Sequence, residues 1–168
     1  MQCFCGAARW LSSVACGRVR GRGAAGAAGA AAAAARAAAR LLLTGAAAEQ
    51  RLTLVLRADL GMGKGKLCAQ ASHGALAAYR AAQASGDAAR LAALAAWERS
   101  GQAKVVLRAE GEAQLLALRQ ACDERGLPCA LIRDAGRTQV PCGAVTCLAI
   151  GPAPAEAISE VTGELRLL

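Results

Sequence analysis

From residue 52 onward the spacing of apolar positions changes several times, and each change marks an element. Leu52-Thr-Leu-Val-Leu-Arg57 is a short apolar run of strand type. The glycine-rich island Asp59-Leu-Gly-Met-Gly-Lys-Gly-Lys66 follows it, and a helix is predicted from Lys66 to about Ala82. Leu67, Ala71, Gly74, Ala75 and Ala78 share one face of that helix and can pack on a sheet. Gly86-Asp87 caps a second helix that runs through Trp97 to Arg99, with Leu91, Leu94 and Trp97 on one side and Gly101 as the stop. Ala103–Ala109 reads as a strand. Gly111 to Arg125 reads as a third helix, with Leu115, Leu118 and Cys122 facing inward and Gly126 closing it. Cys129–Arg133 is the third strand. The loop Asp134–Gly143 leads to a fourth strand, Ala144–Ile150, and Pro154 opens a short last helix that stops at Gly163. The order βααβαββα predicts an α/β fold: a mixed four-stranded sheet with helices on both faces.

Residues 1–49 follow another rule. From Gly23 to Ala39 the chain holds only Ala, Gly and Arg36, and no acidic residue precedes Glu49. A basic, acid-free, Ala/Arg-rich segment with a few hydroxyls (Ser12, Ser13, Thr44) reads as an organelle transit peptide, the alternative being a disordered low-complexity extension. Arg36 and Arg40 interrupt the run, so a stable membrane span is not expected. Residues 50–168 are then the folded domain. A mitochondrial address is favoured, with plastid or cytosol as alternatives.

Composition narrows the function. At 168 residues, 55 % hydrophobic and a mean hydropathy of +0.32, the chain can bury one core. Aromatic residues make up only 2 %, which argues against base stacking and leaves phosphate contacts as the way to hold a nucleic acid. The net charge of +8 is uneven: residues 1–50 carry six Arg against Glu49, leaving a mildly basic body that suits a polyanionic partner without requiring one. The eight Cys include no CxxC pair, and five of them (68, 122, 129, 142, 147) are scattered through the body. They read as buried small hydrophobes in a reducing compartment rather than a disulfide framework. With His73 the single histidine, no metal site is expected.

The chemistry sits in two polar islands that each follow a strand. Gly61-Met-Gly-Lys-Gly65-Lys66-Leu67 fails as a Walker loop, because it has three residues between the glycines and no hydroxyl after the lysine. It fails as a dinucleotide fingerprint because position 66 is Lys. What remains is an anion site made by the amides of Gly63, Lys64 and Gly65 and the lysines at a helix start. Lys66, Gln70 and His73 lie within about 60° of one another on that helix. In the second island, Asp134-Ala-Gly-Arg-Thr138, the aspartate pairs with Lys66 if the first and third strands end on the same edge. Arg137, Thr138 and Gln139 exceed what a turn needs, and Thr146 adds a hydroxyl if it points to the same cleft. Neither a G-x-S-x-G elbow nor a Ser/His triad occurs. Water activated near Asp134, with Lys66 stabilising charge, is favoured over a covalent route.

Taken together, these motifs resemble the archaeal and eukaryotic (type 2) peptidyl-tRNA hydrolases. The likeness rests on Asp59-Leu-Gly-Met-Gly-Lys-Gly-Lys66, Ala69-Gln-Ala-Ser-His73, Trp97-Glu98, Gly101-Gln-Ala-Lys-Val-Val106, Asp134-Ala-Gly-Arg-Thr-Gln139, Ile150-Gly-Pro152 and Val161-Thr-Gly163, across residues 51–168. The resemblance implies metal-independent hydrolysis of the ester joining a peptide to the terminal ribose of tRNA, with no cofactor. By the same resemblance Lys66, Asp134, Thr138 and Thr146 stand at catalytic positions, and Gln70, His73 and Arg137 line the cleft. The implied partner is peptidyl-tRNA; DNA is not expected, and a homodimer is left open. A non-catalytic interaction or signalling module on the same fold is the alternative. The chain departs from many relatives at Gly61 and beside Gly143, away from the implied centre. The N-terminal membrane segment of many animal members is not carried over.

Overall fold

The computed structural model describes residues 48–136 and 140–168. Its strands are β1 (Gln50–Arg57), β2 (Lys104–Ala109), β3 (Cys129–Arg133) and β4 (Val145–Pro154). Its helices are α1 (Lys64–Gln83), α2 (Ala88–Arg99), α3 (Glu112–Arg125) and α4 (Ala155–Thr162). The sheet order is β2-β1-β4-β3, with β1 parallel to β2 and β4 antiparallel to both β1 and β3. This is the mixed four-stranded α/β arrangement that the pattern predicts. The expected leader at residues 1–49 falls, except for Ala48 and Glu49, outside the described residues.

Alternation along the strands divides the core in two. Leu52, Leu54 and Leu56 of β1 and Cys147 and Ala149 of β4 face α1 and α2, where Ala78, Ala82, Leu94 and Trp97 meet them. Val55, Leu148 and Ile150 face the other way, toward Leu115 and Cys122 of α3 and Ile158 of α4. The period of two in strands produces this division, and each helix supplies one apolar stripe to cover a face. The small residues of α1 let it lie close to the sheet: a Cβ at Gly74 would sit 3.0 Å from Cys147 Sγ and 3.1 Å from a Leu54 methyl.

Several expectations need correction. α1 begins at Lys64, two residues early, because Gly63 takes the extended N-cap conformation (φ −64°, ψ 159°). β1 begins at Gln50, and β4 continues past Ile150 through the Gly151-Pro152 pair to Pro154. A register shift opposite Arg51 and Thr53 absorbs that pair. At Gly151 (φ +108°) a Cβ would meet Arg51 O at 2.5 Å, so only glycine fits. Of the three apolar residues expected on one side of α2, Leu94 and Trp97 carry the stripe that meets the sheet, while Leu91 is 41 % exposed. Cys68 and Cys142 are exposed, not buried small hydrophobes.

Candidate active site

Strand direction assembles the site. Because β1 and β3 both run antiparallel to β4, their carboxyl ends lie at one rim together with the amino end of β4. The glycine loop after β1, the Asp134 loop after β3 and Thr146 at the start of β4 therefore meet there. This is the juxtaposition on which the pairing of Lys66 with Asp134 depended.

In the first turn of α1, Lys66 directs its Nζ to Asp134 Oδ2 in an ion pair, with side chains 12 % and 8 % exposed. Gln70, one helical turn on, donates from Nε2 to the same oxygen at 2.7 Å. Its Oε1 accepts the Thr146 hydroxyl at 2.6 Å. The backbone N–H of Gly136 donates to Asp134 Oδ1 at 2.7 Å. The chain Thr146–Gln70–Asp134–Lys66 thus links β4, α1 and the loop after β3. A one-residue register shift between β3 and β4 leaves Thr146 as the extra residue, between Cys147, paired with Ile132, and Val145, paired with Arg133.

Backbone contacts fix the loop. Asp134 N–H donates to Ala144 O at 2.9 Å, and Asp134 O accepts from Gly143 N–H at 2.7 Å. Gly136 has φ +71°, and a Cβ there would lie 2.5 Å from the Cys142 backbone, so the loop closes on itself only with glycine at that position.

Burial pushes the Asp134 carboxyl up, but hydrogen bonds from Lys66, the Gly136 amide and Gln70, with the lysine charge, outweigh it and leave Asp134 below the usual carboxylate range. The carboxylate is therefore ionised at neutral pH and a weak proton acceptor. Its geometry suits it to holding the ammonium of Lys66 in one place. That ammonium can stabilise negative charge developing on a bound substrate.

Gln70 and Thr146 are 2 % and 0 % exposed; Gln70 hydrogen-bonds Asp134 directly, and Thr146 is joined to it through Gln70. Gly63, Lys64, Gly65 and His73 are exposed around the start of α1 and along the face that carries Lys66. Arg137, Thr138 and Gln139 lie outside the described residues. Among the described residues no group of three or more His, Cys, Asp or Glu is placed to hold a metal ion, and no helix is long and apolar enough to cross a membrane.

A second charged cluster was missed. Arg57, 8 % exposed at the end of β1, grips Asp59 through Nε (3.0 Å) and Nη2 (2.7 Å). Its Nη1 reaches Glu112 Oε2 at 2.7 Å and Val145 O at 3.0 Å. Asp59 belongs to this cluster and not to the Lys66 pair; the Arg57 hydrogen bond is what chiefly lowers its carboxyl against burial. The bidentate fork ties the glycine loop to α3 and to the residue before Thr146. The available signal was a charged residue closing an apolar strand, two positions before an aspartate.

Fold and rim together describe an α/β protein with a buried Lys–Asp pair beside an exposed, basic glycine loop. Residues 50–168 match the family described as peptidyl-tRNA hydrolase PTH2. The chain belongs to that family. It is 44 % identical over 115 residues to a peptidyl-tRNA hydrolase of Thermococcus onnurineus, covering 68 % of this chain and 94 % of the relative. It is 48 % identical over 118 residues to a probable peptidyl-tRNA hydrolase 2 of Drosophila melanogaster, covering 70 % and 61 %. Identity is 46 % over 125 residues to the mouse protein named peptidyl-tRNA hydrolase 2, mitochondrial, covering 74 % and 67 %. The match thus spans nearly all of the archaeal relative and about two thirds of the animal ones.

Proposed function

We propose that this peptidyl-tRNA hydrolase cleaves the ester between a peptide and the 3′-terminal ribose of tRNA with Lys66 as the charge-stabilising group. Water attacks the ester carbonyl, the carbonyl oxygen gains negative charge, and the Lys66 ammonium offsets it. Asp134 keeps that ammonium in place, while Gln70 and Thr146 keep Asp134 in place. Thr138 belongs to the same reading through the family resemblance, which gives its sequence position a catalytic role. Gly63, Lys64, Gly65, His73, Arg137 and Gln139 contact the tRNA end, with amides and cations meeting its phosphates. The observation that carries this reading is the buried Lys66–Asp134 ion pair at the rim where the glycine loop opens.

The full chain incubated with N-acetylaminoacyl-tRNA is the direct test. Release of the acyl amino acid by the wild type, and its loss in Lys66→Ala and Asp134→Asn with tRNA affinity retained, is the expected result. Activity retained in both variants would remove the pair from the mechanism. For residues 1–49 we propose a mitochondrial targeting role. The basic, acid-poor composition and the name of the mouse relative support it. A fluorescent protein carrying these residues should enter mitochondria, and a diffuse cytosolic signal would reject the assignment.

A further inference from the structure

We propose that Arg57 is a positioning residue for the hydrolysis: its guanidinium, held by Asp59 and Glu112, grips the Val145 carbonyl and so fixes where the next residue, Thr146, gives its hydroxyl to Gln70. This role rests on the reading of Lys66 and Asp134 as the hydrolytic pair.

The sheet register leaves Thr146 outside both ladders of β4. The ladder with β1 ends where Leu56 stands opposite Cys147, and the ladder with β3 pairs Cys147 and Val145 while passing over Thr146. An extra residue of this kind bends its strand and has no partner to hold it in line. Where the β1 ladder stops, the Arg57 side chain takes over: its Nη1 donates to Val145 O at 3.0 Å. That carbonyl belongs to the peptide joining Val145 to Thr146. The Val145 side chain packs with the cluster of α3, whereas the Thr146 hydroxyl donates to Gln70 of α1 at 2.6 Å, its other acceptor, Ile132 O, being 3.5 Å away. The peptide is therefore gripped from one face of the sheet and delivers a hydroxyl on the other.

The guanidinium is held so that it can do this. Its Nε and Nη2 meet the two oxygens of Asp59 at 3.0 and 2.7 Å, and Glu112 Oε2 accepts from Nη1 at 2.7 Å. The Asp59 hydrogen bond chiefly raises Arg57 above its ordinary value against burial, so the group stays charged. A planar fork fixed along one edge by Asp59 and at its end by Glu112 has one orientation, and that orientation points Nη1 at Val145 O. Lysine would keep the charge and lose the plane, because one nitrogen cannot stand in the places of three.

Arg57 reaches α3, while Lys66 stands on α1 across the sheet, so the guanidinium influences turnover through the chain and not by meeting the pair. Two routes lead from it. One runs through Val145 to Thr146, Gln70 and Asp134; the other runs through Asp59 and the glycine loop to Lys66. A cycle with Thr146 separates them. Effects carried by the loop multiply with those of Thr146→Val, whereas effects carried by Val145 merge with them, since both variants then disturb the same hydroxyl.

Steady-state hydrolysis of N-acetylaminoacyl-tRNA by the full chain tests this with Arg57→Lys, Thr146→Val and the double variant. Arg57→Lys should lower kcat by roughly tenfold with KM unchanged, and the double variant should be slower than Thr146→Val by no more than about twofold. Asp87→Ala, which weakens a remote helix cap, should leave kcat as it is, so that lost stability is not mistaken for lost positioning. Should Arg57→Lys lose the native circular dichroism spectrum, Asp59→Asn, on a partly exposed carboxylate, enters the same cycle with a smaller fall in kcat. Effects that multiply to roughly a hundredfold, a loss confined to KM, an equal fall in Asp87→Ala, or wild-type kcat in the fork variant or in Thr146→Val would overturn the role of Arg57 even with Lys66→Ala inactive. Turnover retained in Lys66→Ala would overturn the mechanism, and the role of Arg57 with it.

Discussion

At the scale of single residues, Lys66 pairs with Asp134, Gln70 donates to that carboxylate, and Thr146 donates to Gln70. Removing one preorganised charge-stabilising donor from a hydrolytic site costs about 10²–10³ in kcat. Lys66→Ala should lose activity by that order while KM for peptidyl-tRNA changes little, in steady-state hydrolysis of N-acetylaminoacyl-tRNA. Thr146→Val leaves Gln70 Oε1 without its donor in a buried place, which costs about 1–3 kcal/mol. Its kcat should fall by roughly tenfold with KM unchanged, and Thr146→Ser should restore it; a change in KM alone would mean that Thr146 contacts substrate. The face shared by Lys66, Gln70 and His73 was legible from helical spacing. That Gln70 is interior and His73 exposed was not, because spacing sets an angle around the helix and not how deep that side of it lies.

At the scale of elements, the small residues of α1 matter more than its apolar ones. Gly74 faces Cys147 and Leu54 with no room for a methyl group, and overpacking of this kind costs about 1–3 kcal/mol. Gly74→Ala should lower the urea midpoint accordingly and, by moving α1 outward, lengthen the reach from Lys66 to Asp134. Asp87 accepts from Ala89 N–H at 2.8 Å as the cap of α2, and Asp87→Ala should cost about 1 kcal/mol in the same measurement without affecting turnover. Most element positions could be read from turn chemistry and period, as at Gly126 and Cys129–Arg133. The length of β4 could not, since Gly151-Pro152 signals an end by local rules and is accommodated only because β1 offers a register shift opposite it.

For the whole molecule, charge and acid response follow from two ion-pair clusters, the largely buried Lys66–Asp134 pair and the Arg57 cluster, whose carboxylates are partly exposed. Asp134 has a carboxyl lowered in the folded protein, so its contribution is fully present above the unfolded aspartate value of about 3.9 and is lost as pH falls through the lower folded value. Thermal melts from pH 6 down to pH 3 should show the wild type losing stability across the acid end of this window. Asp134→Asn, less stable at neutral pH, should lose less over the same interval. A steeper loss in the variant would mean that other carboxylates dominate the acid limb. The mildly basic body also predicts that KM rises with salt in a shallow log–log slope, which Lys64→Ala should reduce by about 1 if Lys64 meets a phosphate.

The residue pattern by itself determined the order of elements, the two polar islands and the chemistry they carry, because turn propensities, apolar period and side-chain type are local properties. Tertiary structure alone decided that the islands meet. Asp134 reaches Lys66 since β4 is inserted between β1 and β3 and runs against both, which turns their carboxyl ends to one rim. It also decided that Arg57 claims Asp59, leaving Asp134 as the partner of Lys66. Strand order and direction are set by which faces the whole sheet can bury, and that balance is not contained in any one stretch of the chain.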